Sequence, residues 1–400
     1  MYKKRFLFLL FTFALIISCS LNNLPIDDLP VIDVTKNYLE KEIVLTEIAD
    51  VTYILFNSKY DDFLYRGTIN YVTESTIVVK DASSGSILFF SKDGAPISRF
   101  NRYGNGPEEY FIKYPDVVYD EEADDVFIYG SMPFIQVYSS KGEYKRKLVF
   151  PPWRLLSIRQ MDIFDDKSLI VFDEGRRLYK AQPKSSKDNM DYLTHTVDSS
   201  YYLISKTDGQ VIDYIPMPFS QIDLFVKTPS GGIMGPMLTG IVKHSEGFLL
   251  CSPETDTVFL YSKNKTLMPV FCKIPLVRKL DPKIILNNCL DSDKYQFFEV
   301  QSMIYGQLSR TEYNKYYVRD KKTGKIYRQK IVLPDYKGKD FIIAPNLYKS
   351  FHENGTHIEL DLFELKLAYR EKRLSGKLKE LVSKLNELKD NNVYMFIKFK

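Results

Sequence analysis

Apolar and polar positions repeat along this chain as phrases of short strands and tight turns. Ile77 to Phe100 reads IVVKDASSGSILFFSKDGAPISRF, and Val126 to Val149 reads VFIYGSMPFIQVYSSKGEYKRKLV. Ile87 aligns with Ile135, Phe89 with Val137, Ser91 with Ser139 and Gly94 with Gly142, all at an offset of 48. Each phrase predicts a strand, a polar turn, a second strand, a Ser–Lys or Ser–Ser–Lys turn and a third strand. The glycine of the second turn supplies the positive φ that a tight hairpin needs.

Looser copies follow at Tyr201 to Ile212, Phe248 to Phe271 and Tyr316 to Val332. Their turns fall at Ser205–Gly209, Ser262–Lys265 and Thr323–Gly324. The polar stretch Arg176 to Ser200 reads as an insertion. Hairpin units recurring at forty-odd residues or more are the pattern of a β-propeller, with a β-sandwich or several small sheets as the alternative. A sixth unit has to come from the two ends of the chain: Ile43–Thr46 and Val51–Leu55 from one, the alternation Val393–Phe399 from the other. Joining the ends removes an open sheet edge. The predicted fold is therefore all-β: a six-bladed β-propeller with a ring-closing terminal strand.

One segment has a different period. Leu374, Leu378, Leu381, Leu385 and Leu388 are spaced as on a helix, within a Leu/Lys/Glu-rich stretch. This predicts a C-terminal α-helix over about 361–389, broken near Ser375–Gly376 and packed on the propeller. A partner-binding helix is the alternative.

The first residues have no part in the repeats. Lys3, Lys4 and Arg5 precede the apolar run Phe6–Ile17, then Ser18 and Cys19. The run has the length of a secretory leader and is short of the ~20 residues of a membrane span. Ile16-Ile17-Ser18-Cys19 resembles a bacterial lipobox, which implies cleavage before Cys19 and lipidation of its thiol. Ser20, rather than Asp, implies the outer membrane by the same resemblance. Domain organisation is thus a lipoprotein signal peptide (1–18), a flexible tether (19–31) and the propeller (32–400), which includes the helix and the closing strand 393–399.

Composition refines this picture. The 29 Tyr and 27 Phe suit pleated surfaces. A net charge of +4 over 400 residues, with both signs interspersed, lacks the basic footprint of a nucleic-acid binder. Besides Cys19, only Cys251, Cys272 and Cys289 are present, leaving room for one disulfide or for three free thiols.

Several stretches resemble the six-bladed β-propeller lipoproteins of Bacteroidetes, which are similar to NHL-repeat and TolB-like propellers. They are Ile32–Tyr38, Ile48–Leu55 and the loop Arg102-Tyr-Gly-Asn-Gly-Pro-Glu-Glu-Tyr110. Where the family has Gly-x-Gly-Pro-Gly-Glu-Tyr, this chain has Glu108 at the third glycine. The likeness spans nearly the whole mature chain and implies fold and lineage more than activity.

Enzyme signatures are scarce. Gly-x-Ser-x-Gly, a Walker loop and Cys-x-x-Cys are absent from the sequence. His352 and His357 are five apart, one too many for the metalloprotease pair, and read as an exposed loop; His195 and His244 are isolated. The acidic run Asp120–Asp125 could hold calcium but reads first as a solvated turn, and Asp291-Ser292-Asp293 is as open. No cofactor and no metal is expected.

The candidate ligand-binding residues are Arg102, Tyr103, Asn105, Glu108, Glu109 and Tyr110 in the inter-blade loop, with Trp153 in an equivalent position one unit on. A purely structural connector is the competing reading of that loop. The expected function is a lipid-anchored cell-envelope platform, non-enzymatic, binding an envelope protein, a peptide or a glycan. The alternative is an envelope lyase or hydrolase with its site in the propeller channel.

Overall fold

The computed structural model describes residues 29–57, 61–111, 116–130, 132–150, 158–173, 199–217, 226–231, 233–234, 239–252, 255–306, 313–344 and 355–400. Among the described residues six sheets, antiparallel apart from two added edge strands, form the blades of a propeller, and a two-stranded sheet pairs Val226–Lys227 with Ile233–Met234. Blade one comprises Gly67–Val72, Thr76–Asp81, Ile87–Ser91 and Pro96–Phe100, and blade two Asp116–Asp120, Asp125–Tyr129, Phe134–Tyr138 and Tyr144–Val149. Blade three comprises Ile158–Ile163, Ser168–Asp173, Tyr201–Ser205 and Val211–Tyr214. Blade four runs from Ile241–His244 to Leu267–Ile274, and blade five from Ile284–Asp291 to Ile326–Leu333. The first strands of blades one and two, two and three, and four and five pack side by side.

The sixth blade closes the ring. Val393–Phe399 is its middle strand, pairing on one side with Gly355–Leu360 and on the other with Ala49–Leu55. Val51–Leu55 and the C-terminal alternation thus meet as expected. Ile43 does not join them. Its strand, Glu40–Val44, adds in parallel to the outer edge of blade five, with Ile43 opposite Ile331. Val31–Asp33 does the same on blade four, so Val31, placed in the tether by sequence, starts a strand. Both added strands cover outer edges that would otherwise expose unpaired backbone.

Aromatic residues hold the blades together. Phe89 of blade one meets Tyr119 of blade two edge-on at 5.2 Å, Phe164 meets Tyr261 across blades three and four at 5.4 Å, and Phe297 meets Phe399 across blades five and six at 5.1 Å. Such pairs contribute about 0.5–1.5 kcal/mol each beyond simple burial. The abundance of Phe and Tyr is thus spent between sheets as well as on them.

The repeated turn glycines have a shared task. Gly94, Gly142 and Gly209 all have φ between +81° and +88°. Each presses on the outermost strand of the preceding blade: a Cβ would fall 2.2 Å from the Leu55 carbonyl oxygen, 2.5 Å from Phe100 Cβ, and 2.8 Å from the Leu148 carbonyl carbon. Hydrogen bonds join the same places, from Asn57 N to Gly94 O (2.9 Å) and from Val149 N to Asp208 O (3.0 Å).

The C-terminal helix is two helices, Leu362–Arg370 and Gly376–Ser383, split just ahead of Ser375–Gly376 and ending earlier than the leucine spacing implies. Asp361 caps the first by accepting from Glu364 N at 2.9 Å. Leu365, Leu378 and Val382 are fully buried among Ile331, Leu333 and Met395, on the flank of blades five and six.

Candidate functional site

The loop Arg102–Tyr110 leaves the end of blade one and is braced on both neighbouring blades. Tyr110 is buried and its hydroxyl donates to Gly85 O at 2.6 Å. Arg102 Nε donates to Gly142 O at 3.0 Å, and Tyr138 of blade two donates to Glu108 O at 2.7 Å. Glu109 folds back inside the loop and accepts from Gly106 N at 2.8 Å, so close to Gly104 that a Cβ there would fall 2.0 Å from its carboxylate. Glu108 uses only its backbone for the brace and keeps φ negative, which is why glycine is not required there.

The expected ligand set therefore divides. Arg102, though exposed, fixes the loop with Glu109 and Tyr110 through hydrogen bonds; Tyr103, Asn105 and Glu108 are exposed on it. Trp153 lies outside the described residues, as do Cys19, His195 and His352.

A second constellation, which no motif of the sequence marks, joins the inner strands of blades one, three and four. Tyr71, at the end of the inner strand of blade one, donates a 2.6 Å hydrogen bond to Asp162 of blade three. The two reach past the inner strand of blade two, so they cross the channel. Lys243 of blade four completes the group, 3.6 Å from Asp162 and 5.4 Å over the Tyr71 ring. Burial, reinforced by the Asp162 carboxylate, pushes the Tyr71 phenol well above its ordinary range, so it stays a proton donor. No local spacing announces this contact, because its partners are 91 residues apart in sequence.

Beside it, His244 Nε2 lies 3.5 Å from the nearly inaccessible Asp291 carboxylate, which Lys321 also approaches at 2.9 Å. His244 Nδ1 accepts from Glu246 N, so both ring nitrogens are engaged within the fold.

The acidic run Asp120–Asp125 diverges. Asp120 pairs with Lys206 at 2.8 Å, Glu121 accepts from Ser75 and Thr76, and Asp125 pairs with Lys145 and Arg146. Burial would raise the Asp125 carboxyl, but Arg146 and Lys145 outweigh it and hold it below the usual range. These acids bind blades and turns to one another and do not converge on a point.

His357 corrects another expectation. It is in the strand Gly355–Leu360, opposite Phe396, half-buried beside the Tyr394 and Phe396 rings, and not in an exposed loop. The alternation Thr356, Ile358, Leu360 fits the closing strand, and it outweighs the turn signal of Gly355. Cys251 and Cys272 are buried and form no disulfide among the described residues.

A family model described as "6-bladed beta-propeller" matches residues 22–346. Among solved structures, a "Putative exported protein" of Bacteroides fragilis NCTC 9343 is 15% identical with a TM-score of 0.62, covering 93% of this chain and 99% of its own. A DUF4221 family member from Bacteroides vulgatus is 12% identical with a TM-score of 0.47, covering 88% and 97%. At 15% identity the likeness to the B. fragilis protein bears on fold alone. A search of curated proteins finds no match.

Proposed function

The chain belongs to the 6-bladed beta-propeller family DUF5128, and from that premise we propose that it is a lipid-anchored propeller of the cell envelope that binds a peptide, protein or glycan without transforming it. The observation that carries this reading is the Arg102–Tyr110 loop. Hydrogen bonds to two blades fix its backbone, while Tyr103, Asn105 and Glu108 stand exposed. A loop already held in one shape loses little freedom on binding, which favours recognition by its outward side chains.

The axis supports the same reading. Tyr71 and Asp162 meet across the channel at their level, where Asp162 Oδ1 holds the Tyr71 hydroxyl and the Ile163 amide, with Lys243 3.6 Å away. Export is supported by the leader-like start of the sequence and by the name of the B. fragilis protein. Lipidation at Cys19 and residence in the outer membrane rest on the lipobox alone.

The test is a glycan array together with envelope cross-linking, using chain 19–400 bearing Cys19→Ala. A ligand captured by this chain should be lost from Tyr103→Ala/Asn105→Ala/Glu108→Ala while the thermal unfolding of that variant is unchanged. Capture undiminished by the triple change, or chemical conversion of the captured ligand, would contradict the proposal.

A further inference from the structure

Charge is unevenly distributed along this nearly neutral chain. Residues 361–400 hold ten Lys and Arg against six Asp and Glu, which is the whole net charge of +4; the other 360 residues are balanced. Two of those ten, Lys372 and Arg373, line a groove of about 490 Å³ on the flank of blade five, where lysines of that blade join them. Its walls are the outer strand Glu40–Val44, the hairpin strand Tyr336–Phe341 and the link between the two C-terminal helices. Five cations line it, Lys330, Lys337, Lys339, Lys372 and Arg373, against the carboxylates of Glu42 and Asp340.

Three of the five are occupied. Lys330 pairs with Glu42 at 3.3 Å, Lys339 with Glu364 at 2.9 Å, and Arg373 with Glu371 at 2.6 Å. Among the described residues Lys337 and Lys372 form no ion pair, and both are exposed. Lys372 has φ +57° just after the first helix, where glycine is the usual residue. A lysine thus occupies a backbone position that disfavours any side chain.

Exposed apolar side chains flank these cations. Phe363 is 64% exposed and Leu367 43%, one turn apart on the helix face opposite the buried Leu365, with Arg370 on the same face. Soluble anions do not call for such a pair. A membrane interface does: cations meet headgroup phosphates while Phe and Leu enter the acyl boundary.

The chain also enters the described fold on this flank. Val31–Asp33 edges blade four, and within a dozen residues Glu40–Val44 runs along blade five, where Glu42 and Val44 line the groove. Cys19 lies twelve residues before Val31, a reach of about 40 Å when extended.

We propose that this groove and the adjoining helix face dock the propeller on the anionic phospholipid headgroups of the membrane that anchors it. This placement rests on the lipid-anchored reading above. It fixes which side of the ring faces the bilayer, and it supplies the polybasic second signal that strengthens a lipid anchor.

Co-sedimentation tests it, using chain 19–400 bearing Cys19→Ala so that no acyl chain contributes. The protein should bind vesicles of phosphatidylcholine with phosphatidylglycerol, not vesicles of phosphatidylcholine alone, and binding should weaken with salt. Lys337→Gln/Lys372→Gln should weaken it about tenfold or more, since each cation near the surface counts. Phe363→Ser/Leu367→Ser should weaken it while leaving the salt dependence in place.

Equal binding to both vesicles, or no effect of the lysine pair, would overturn the proposal. So would glycerol phosphate competing at the affinity shown for vesicles, which would make this a soluble-anion site. All substituted residues are exposed, and circular dichroism establishes that each variant is folded. Because no lipidated protein is used, failure here leaves the anchor itself to be judged separately.

Discussion

Gly142 of blade two sits so close to Phe100 of blade one that a Cβ on the glycine would fall 2.5 Å from the Cβ of the phenylalanine. Gly142 also has φ +81°, so both its backbone and its neighbour exclude a side chain. Gly324, in the corresponding turn of blade five, has φ +70° with nothing within 4 Å of its would-be Cβ. Gly142→Ala should cost about 2–4 kcal/mol, combining left-handed strain with overpacking, and Gly324→Ala only about 1–2 kcal/mol. Urea unfolding of the two variants measures the difference; equal losses would mean the turn does not latch adjacent blades.

The axial bond between Tyr71 and Asp162 makes a second prediction. Tyr71→Phe keeps the ring and removes the donor, leaving the Asp162 carboxylate with Lys243 and the Ile163 amide. Loss of one partner from a buried carboxylate costs about 1–3 kcal/mol. Thermal unfolding should show lower stability for Tyr71→Phe. A variant as stable as the parent would show that this contact does not tie the blades.

Stability should vary with pH through buried lysines. Burial pushes the amine of Lys273 down to about 8 against the pull of Asp256, and burial likewise pushes Lys92 down to about 8 against Glu121 and Glu74. As pH rises past about 8 the folded chain releases protons that the unfolded chain retains to its ordinary value of 10.5, so stability climbs. Above about pH 10 the buried phenols reverse the trend, because the fold holds their protons longer. Lys273→Met should be more stable than the parent at pH 7, by roughly 2–3 kcal/mol at most, with the advantage shrinking toward pH 9.5. Asp256 retains a partner in that variant, the Val277 amide at 2.8 Å. Urea melts at both pH values decide it; a variant equally destabilised at each would contradict the assignment.

Much of the ring was legible because its repeating device is local. Ser91–Gly94 and Ser139–Gly142 mark the same hairpin in successive blades, and Lys265, with φ +60°, fills the glycine's place in blade four. Alternation also identified Val393–Phe399 as the strand that closes the ring. Alternation does not encode a partner, however. Ile43 reads equally well as a strand of blade five or of blade six, and only packing against Ile331 and Leu333 decides.

The same limit applied to the sites. Arg102, Glu109 and Tyr110 have side chains suited to a ligand, yet their hydrogen bonds, and for Tyr110 its burial, assign them to the loop itself. Tyr71, Asp162 and Lys243 lie on three blades and share no motif. The groove at Lys337 and Lys372 likewise arises only when the hairpin strand and the helix link are brought together.

The proposed anchoring of the propeller is tested most directly at Cys19. Cells expressing the native chain or Cys19→Ala are labelled with radioactive palmitate, and their envelopes are washed in high salt to release proteins held by charge alone. The native protein should carry the label and stay with the washed membranes, while Cys19→Ala should carry none and be washed free. Palmitate on the variant, or its retention on the membranes after the wash, would contradict anchoring through Cys19.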